Sequence, residues 1–345
     1  MNLLQSTSRR AVLSGLAVGA VGVGLTGCND LAGPLTPAAG ELLVWAPATY
    51  LEPALTAAFT QVTSLTIVQA SSSASADVIV AASGRVDVLS QYNMLTALDP
   101  RRLSGIAEID PTFLRGRFES SPAFALPIGW QITGLGYRRS KVDDIPSSWS
   151  DVYASARYPG RTGLSPDPLM LIRAGAKSLG GSFNTISVAT ADRVASLILN
   201  QRRAAATAVN RDAAMLLKHG DLDLVVATSG ELAAMQQRDS DLDFVVPREG
   251  GLITTEMVAI GRHAKNTSGA YALIDFMLQP IASAAFARLR HMVPTSVAAR
   301  QQLVRDDPTL AAYSGSSLSA GNEDDVTATV AQLDVLRAAA QRAVA

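Results

Sequence analysis

The stretch that most restricts the fold runs from Asp243 to Leu278, DFVVPREGGLITTEMVAIGRHAKNTSGAYALIDFML. Phe244-Val245-Val246 is a short apolar run closed by Pro247. Gly250-Gly251 permits a sharp turn, because glycine tolerates positive φ. Met257 to Ile260 is a second apolar run. Asn266, Thr267 or Ser268 can cap a helix whose apolar positions Ala270, Leu273, Ile274, Met277 and Leu278 follow helical periodicity. Pro280 ends that turn. The order is strand, glycine turn, strand, loop, helix.

The N-terminal part of the folded chain reads the same way. Glu41 to Ala46 is a strand, Tyr50 to Thr63 a helix with Pro53 in its first turn, and Leu65 to Val68 a second strand. Asp77 to Ala81 (DVIVA) is an uninterrupted apolar strand, of the kind buried on both faces of a parallel sheet. Val86 to Gln91 reads as helical. Strands and helices at this spacing predict an α/β protein. Further on, Phe124 to Tyr137 alternates as a long strand, and helices are expected over Pro168–Leu179, Ala191–Gln201, Asn210–His219 and Glu231–Gln237. Leu222 to Ala227 is a strand, and Asp324 to Val344 reads as a closing helix. At 345 residues, 48% hydrophobic and 17% charged, the chain suits two domains or one large one.

Composition excludes several functions. A formal net charge of −1 gives no surface for nucleic acid. A single cysteine allows neither a disulfide nor a cysteine metal cluster. His219, His263 and His291 are scattered, so no metal site or other cofactor is expected. There is no G-x-S-x-G elbow and no phosphate-binding loop, so catalysis is not expected.

Residues 1–27 have the form of a secretory signal: Arg9-Arg10, an uncharged run from Ala11 to Thr26, then Leu25-Thr26-Gly27-Cys28. Ser8-Arg9-Arg10-Ala11-Val12-Leu13 fits a twin-arginine signal. The Leu-Thr-Gly-Cys end resembles the bacterial lipobox, which implies lipidation of Cys28. The alternative is an uncleaved membrane helix, but the run of about 16 residues is shorter than the ~20 a span needs. Residues 28–40, with Gly33, Pro34 and Pro37, read as a tether. The expected location is the cell envelope, lipid-anchored to the outer face of the cytoplasmic membrane or in the periplasm.

In open α/β sheets ligands lie beyond the carboxyl ends of strands. That rule selects Thr49 and Tyr50, Ser83 and Arg85, Trp130 and Gln131, Asp167, Thr228 and Ser229, and Thr254 and Glu256. Each has a plainer reading. Asp167 before Pro168 is a natural N-cap. Tyr50 can pack the helix start, Trp130 can be core, and Ser83-Gly84 can be a plain turn. Glu256 stands inside an apolar strand, where a carboxylate needs a partner; that partner is a ligand or Arg85.

Several motifs together resemble the polyamine-type extracellular solute-binding proteins of ABC importers. They are Pro247-Arg248-Glu249-Gly250-Gly251, the run Ala264-Lys265-Asn266 through Ile274-Asp275-Phe276-Met277-Leu278-Gln279-Pro280, the strand FALPIGWQITGLGY, and Pro146…Trp149-Ser150-Asp151 leading to Gly163-Leu164. The resemblance implies a periplasmic-binding-protein fold of type II, with two α/β lobes, a ligand cleft and two crossing segments. Lobe 1 would hold 41–130 plus 255–300, and lobe 2 would hold 131–254 plus 301–345. It implies a small-molecule ligand, ABC permease subunits as partners, and a monomer. Glu256 and Asp167 fall on acidic ligand positions, and Trp130 and Tyr50 on aromatic ones. Thr228 and Thr254 stand where the family usually has tryptophan, Met170 where a second acid would be, and Arg85 where an aromatic would be. A smaller amine or zwitterion therefore suits Glu256, Arg85, Thr228, Ser229 and Thr254 better than a long polycation. A lipid-anchored hydrolase and a sensory lipoprotein without transport are the alternatives.

Overall fold

The computed structural model describes residues 40–114, 124–154, 158, 160–165, 167–204, 212–306, 321–323 and 336–343. The signal, Cys28 and the expected tether apart from Gly40 lie outside these residues, as does most of the closing helix. The chain divides into two compact units, Met1–Trp130 with Thr255–Asp306 and Gln131–Thr254 with Asp307–Ala345.

The first unit begins with β1 (Gly40–Trp45), α1 (Pro53–Thr63) and β2 (Leu65–Gln69). Pro53 sits at the first helical position, where its missing N–H costs nothing. Next come β3 (Val78–Ala82), α2 (Ser83–Gln91) and β4 (Leu95–Thr96). β1 pairs in parallel with both β2 and β3, and β3 is almost wholly buried, as its unbroken apolar sequence requires. Between β2 and β3 there is one short 3-10 turn, Ser73–Ser75.

The long strand β5 (Ala125–Arg138) carries the chain from the first unit into the second. The second unit then adds α3 (Ser150–Tyr153), β6 (Thr162–Gly163), α4 (Pro168–Ser178), α5 (Val188–Ala204), α6 (Ala213–His219), β7 (Leu224–Thr228), α7 (Ser229–Gln236) and β8 (Leu242–Val245). β7 pairs antiparallel with β5 and parallel with β6, and β8 pairs antiparallel with β5. Trp149, Tyr153, Ile172 and Phe183 centre its core. Each such side chain contributes on the order of 1.5–3 kcal/mol by leaving water.

The turn predicted at Gly250-Gly251 uses its two glycines for different reasons. Gly250 has φ +92°, which only glycine adopts cheaply. A Cβ on Gly251 would lie 2.6 Å from the Thr133 carbonyl oxygen, so Gly251 answers to close approach of β5. The Gly250 carbonyl accepts a 2.8 Å bond from the Trp149 indole, and Glu249 accepts from the Ser148 hydroxyl. The turn is thereby tied to the Pro146-to-Asp151 segment.

β9 (Gly251–Gly261) returns the chain to the first unit and pairs antiparallel with β3, with Ala82 opposite Glu256. α8 (Thr267–Leu278) follows with Asn266 as its N-cap. Pro280 does more than end this helix. The residue before proline is pushed out of the helical region, and Gln279 is extended at φ −61°, ψ 138°. Pro280 then opens a helix the periodicity reading had not anticipated, α9 (Pro280–Arg290), bent 79° from α8. His291 in the left-handed region ends α9 and turns the chain into β10 (Val293–Pro294), which pairs with β5 at Trp130 and Gly129. α10 (Val297–Asp306) completes the unit. β11 (Gly321–Glu323) pairs in parallel with the Gly251–Ile253 end of β9, in the second unit.

Candidate functional site

Glu256 is the one charged residue of β9 and stands directly before the apolar run Met257–Ile260. Its side chain keeps 8% of its surface, and its nearest cation is Arg290, whose Nη2 stands 3.6 Å from Oε1. Arg85, the protein residue offered beside a ligand as the partner of Glu256, is not in this ion pair. It is exposed on α2, and its guanidinium lies over the Trp45 ring at 5.5 Å. The displacement has a simple cause. Arg85 is the third residue of α2, while α9 ends at Arg290 and delivers a cation to β9. A positive charge at a helix C-terminus is also favoured by the macrodipole.

The pair is built into a small cluster. The Arg290 guanidinium lies 5.1 Å from the centre of the Tyr50 ring. Tyr50 is buried, stacks at 5.9 Å on Phe286 and donates its hydroxyl to Met292 Sδ at 3.7 Å. Burial pushes the Glu256 carboxyl above its ordinary range, and Arg290 offsets this only in part. Burial also raises the Tyr50 hydroxyl, with the Glu256 charge adding to the effect. Oε2 of Glu256 is buried and has no hydrogen-bond partner among the described residues. The same holds for Thr255 Oγ1 and for the Trp130 indole N–H.

The other sequence-selected residues divide by unit. Ser83 is buried as the first residue of α2, directly after the Ala82 that faces Glu256. Trp130 is fully buried, its ring 6.3 Å from Phe113, so it presents no exposed face in this structure. In the second unit Asp167 is exposed and caps α4 by accepting from Leu169 N and Met170 N. Thr228 caps α7 in a reciprocal capping box with Glu231. Ser229 is buried and its hydroxyl accepts from Ile132 N at 3.2 Å. Thr254 is half-buried at the end of the second unit's part of β9. Arg290 was missed by the sequence reading. The only signal for it was helix α9, announced by a proline that also serves as a stop. Among the described residues, no group of three or more His, Cys, Asp or Glu is placed to hold a metal ion.

An apolar pocket in the first unit is lined by Tyr50, Leu55, Phe59, Ile67, Phe276 and Phe286 and offers no charge. The chemistry available to the Glu256 cluster is therefore ionic recognition.

Comparison with known proteins places this architecture. The model of the bacterial extracellular solute-binding protein family matches residues 55–312. The chain belongs to this family. This solute-binding protein is 25% identical over 238 residues to the spermidine/putrescine-binding periplasmic protein of Escherichia coli K12, covering 68% of each chain. It is 26% identical over 214 residues to a putrescine/cadaverine-binding protein of Pseudomonas aeruginosa, covering 59% of this chain and 60% of that one. Its fold is shared with the crystal structure of the spermidine/putrescine ABC transporter substrate-binding protein PotD from Streptococcus pneumoniae. The TM-score is 0.73 at 21% identity, over 88% of this chain and 100% of that one. It is shared also with the binding protein MotA from A. tumefaciens B6 in complex with glucopine, with a TM-score of 0.68 at 14% identity, over 89% of this chain and 99% of that one. The fold is thus the type II periplasmic-binding-protein fold expected from the sequence.

Proposed function

We propose that this solute-binding protein is the capture component of an ABC importer, anchored outside the cytoplasmic membrane by lipid on Cys28, and that Glu256 receives the ammonium group of a small amine-bearing solute. The observation that carries the proposal is the buried Glu256 carboxylate with one oxygen unpartnered. A buried charged oxygen left without a partner costs free energy that a bound ammonium recovers. Sequence relatives named for spermidine, putrescine and cadaverine support an amine. Ser83 and Tyr50 in the first unit, and Asp167, Thr228, Ser229 and Thr254 in the second, are the further candidate contacts. Threonines at 228 and 254 favour a smaller solute than spermidine, because they supply hydroxyls rather than the indole faces that hold a long polycation.

The test is native mass spectrometry of the purified protein for retained solute, followed by thermal shift with a panel of amines, amino acids and polyamines. A solute that binds only the folded form raises Tm with concentration. The expected result is a saturable shift that Glu256→Gln abolishes. No retained solute, and no shift with any member of the panel, would overturn the proposal.

A further inference from the structure

Glu256 and Arg290 belong to one unit and carry opposite charges, so the position they form is neutral overall. A site built to receive a simple cation would leave its acid uncompensated until the ligand arrives. Here a cation is already present, and it is held in place. It closes the C-terminus of α9 and lies over the Tyr50 ring, which is itself fixed by Phe286 and Met292. Yet the pair is not closed. The 3.6 Å separation is well beyond the roughly 2.7–2.9 Å of a charge-assisted hydrogen bond. Oε2 of Glu256, in a residue that is 6% exposed, has no hydrogen-bond partner among the described residues. The Arg290 side chain keeps 25% of its surface against 8% for Glu256, so Arg290 is the more accessible of the two charged side chains.

Resting on the reading of Glu256 as the solute's ammonium partner, we propose that Arg290 is the specificity-determining residue of this site and selects a small zwitterion, its ammonium going to Glu256 and its carboxylate to Arg290. A zwitterion meets both protein charges and leaves the buried site neutral. A diamine brings a second positive charge beside a fixed guanidinium, which like-charge repulsion in a poorly solvated site opposes. Burial holds the Glu256 carboxyl above its ordinary range although Arg290 lowers it, and an ammonium beside it would further favour the charged form.

The experiment compares two ligands with the same four-carbon chain, 4-aminobutanoate and putrescine, by calorimetry on the full folded protein. In the wild type, 4-aminobutanoate binds more tightly than putrescine. Arg290→Gln weakens 4-aminobutanoate by about ten- to a hundredfold, the scale of one lost charge-assisted contact, and leaves putrescine unchanged or tighter. Arg290→Lys, which keeps the charge, retains the wild-type order and guards against misfolding of the Gln variant. Equal or tighter binding of putrescine by the wild type overturns the proposal, as does a preference that Arg290→Gln does not alter. Failure of both ligands to bind also overturns it. Retained solute in native mass spectra would in that case leave the importer reading standing.

Discussion

Asp77 offers the sharpest test of how the first unit is held together. Its carboxylate is 2% exposed and accepts three backbone bonds. Oδ2 takes Leu43 N of β1 at 2.9 Å, and Oδ1 takes Lys265 N at 2.6 Å and Asn266 N at 3.0 Å. One side chain thus joins β1, the start of β3 and the N-terminus of α8, where negative charge also suits the helix dipole. A hydrogen bond to a charged group contributes about 1.5–3 kcal/mol. Simple addition would overstate the total, because Leu43 is half-buried and Lys265 exposed, so water can reach the donors once the carboxylate is gone. We expect Asp77→Ala to cost about 3 kcal/mol in total. Asp77→Asn should cost roughly half that: its oxygen can keep Lys265 and Asn266, but its NH2 then faces the Leu43 N–H. With about 2–4 °C per kcal/mol for a unit of this size, the alanine variant should melt roughly 6–12 °C lower. Thermal unfolding measures this, and hydrogen exchange should show the Lys265 and Asn266 amides losing protection. An alanine variant melting within about 1 °C of wild type would refute the reasoning.

Four further outcomes are expected. Burial pushes the Asp110 carboxyl up, but bonds from Arg300 at 2.7 Å and from Thr112 N outweigh this and hold it below its ordinary range. Its stabilising contribution is therefore present above the unfolded carboxyl pKa of about 4 and lost as pH falls through the folded value, so the Tm gap between wild type and Asp110→Asn should close in acid. Glu256 has the opposite sign: its raised carboxyl favours the folded state when protonated, so wild type measured against Glu256→Gln should lose stability as pH rises from about 4 through the folded pKa. Gly261→Ala would set a Cβ 2.2 Å from the Ala76 carbonyl oxygen, and denaturant titration should show a loss of about 1–3 kcal/mol; an unchanged midpoint contradicts this. Cys28→Ala should abolish lipid labelling and release the protein from membranes, and unchanged fractionation would mean that Ala11–Thr26 serves as the anchor.

Elements whose cause is local can be read from the residues alone. β3 is legible because DVIVA is apolar without a break, and α8 because Asn266 precedes residues at helical spacing. The Gly250 turn is legible because only glycine takes φ +92° without strain. The N-cap role of Asp167 follows from Asp-Pro alone. The order of these motifs was enough to indicate the family. Glu256 could be singled out too, since a carboxylate in an apolar strand demands a partner. What its partner is, sequence could not say. Arg85 and Arg290 are both basic residues far from Glu256 along the chain, and nothing local ranks them. The choice was made by the bend at Gln279-Pro280, which starts α9, by the length of that helix, and by the packing that sets its last residue against β9 and Tyr50. Trp130 is decided in the same way: its pattern allows core or binding face, and only pairing of β10 with β5 and the contact with Phe113 bury it. Local signals fix what each segment becomes, whereas the neighbour of a buried charge is a sum over the whole unit's packing.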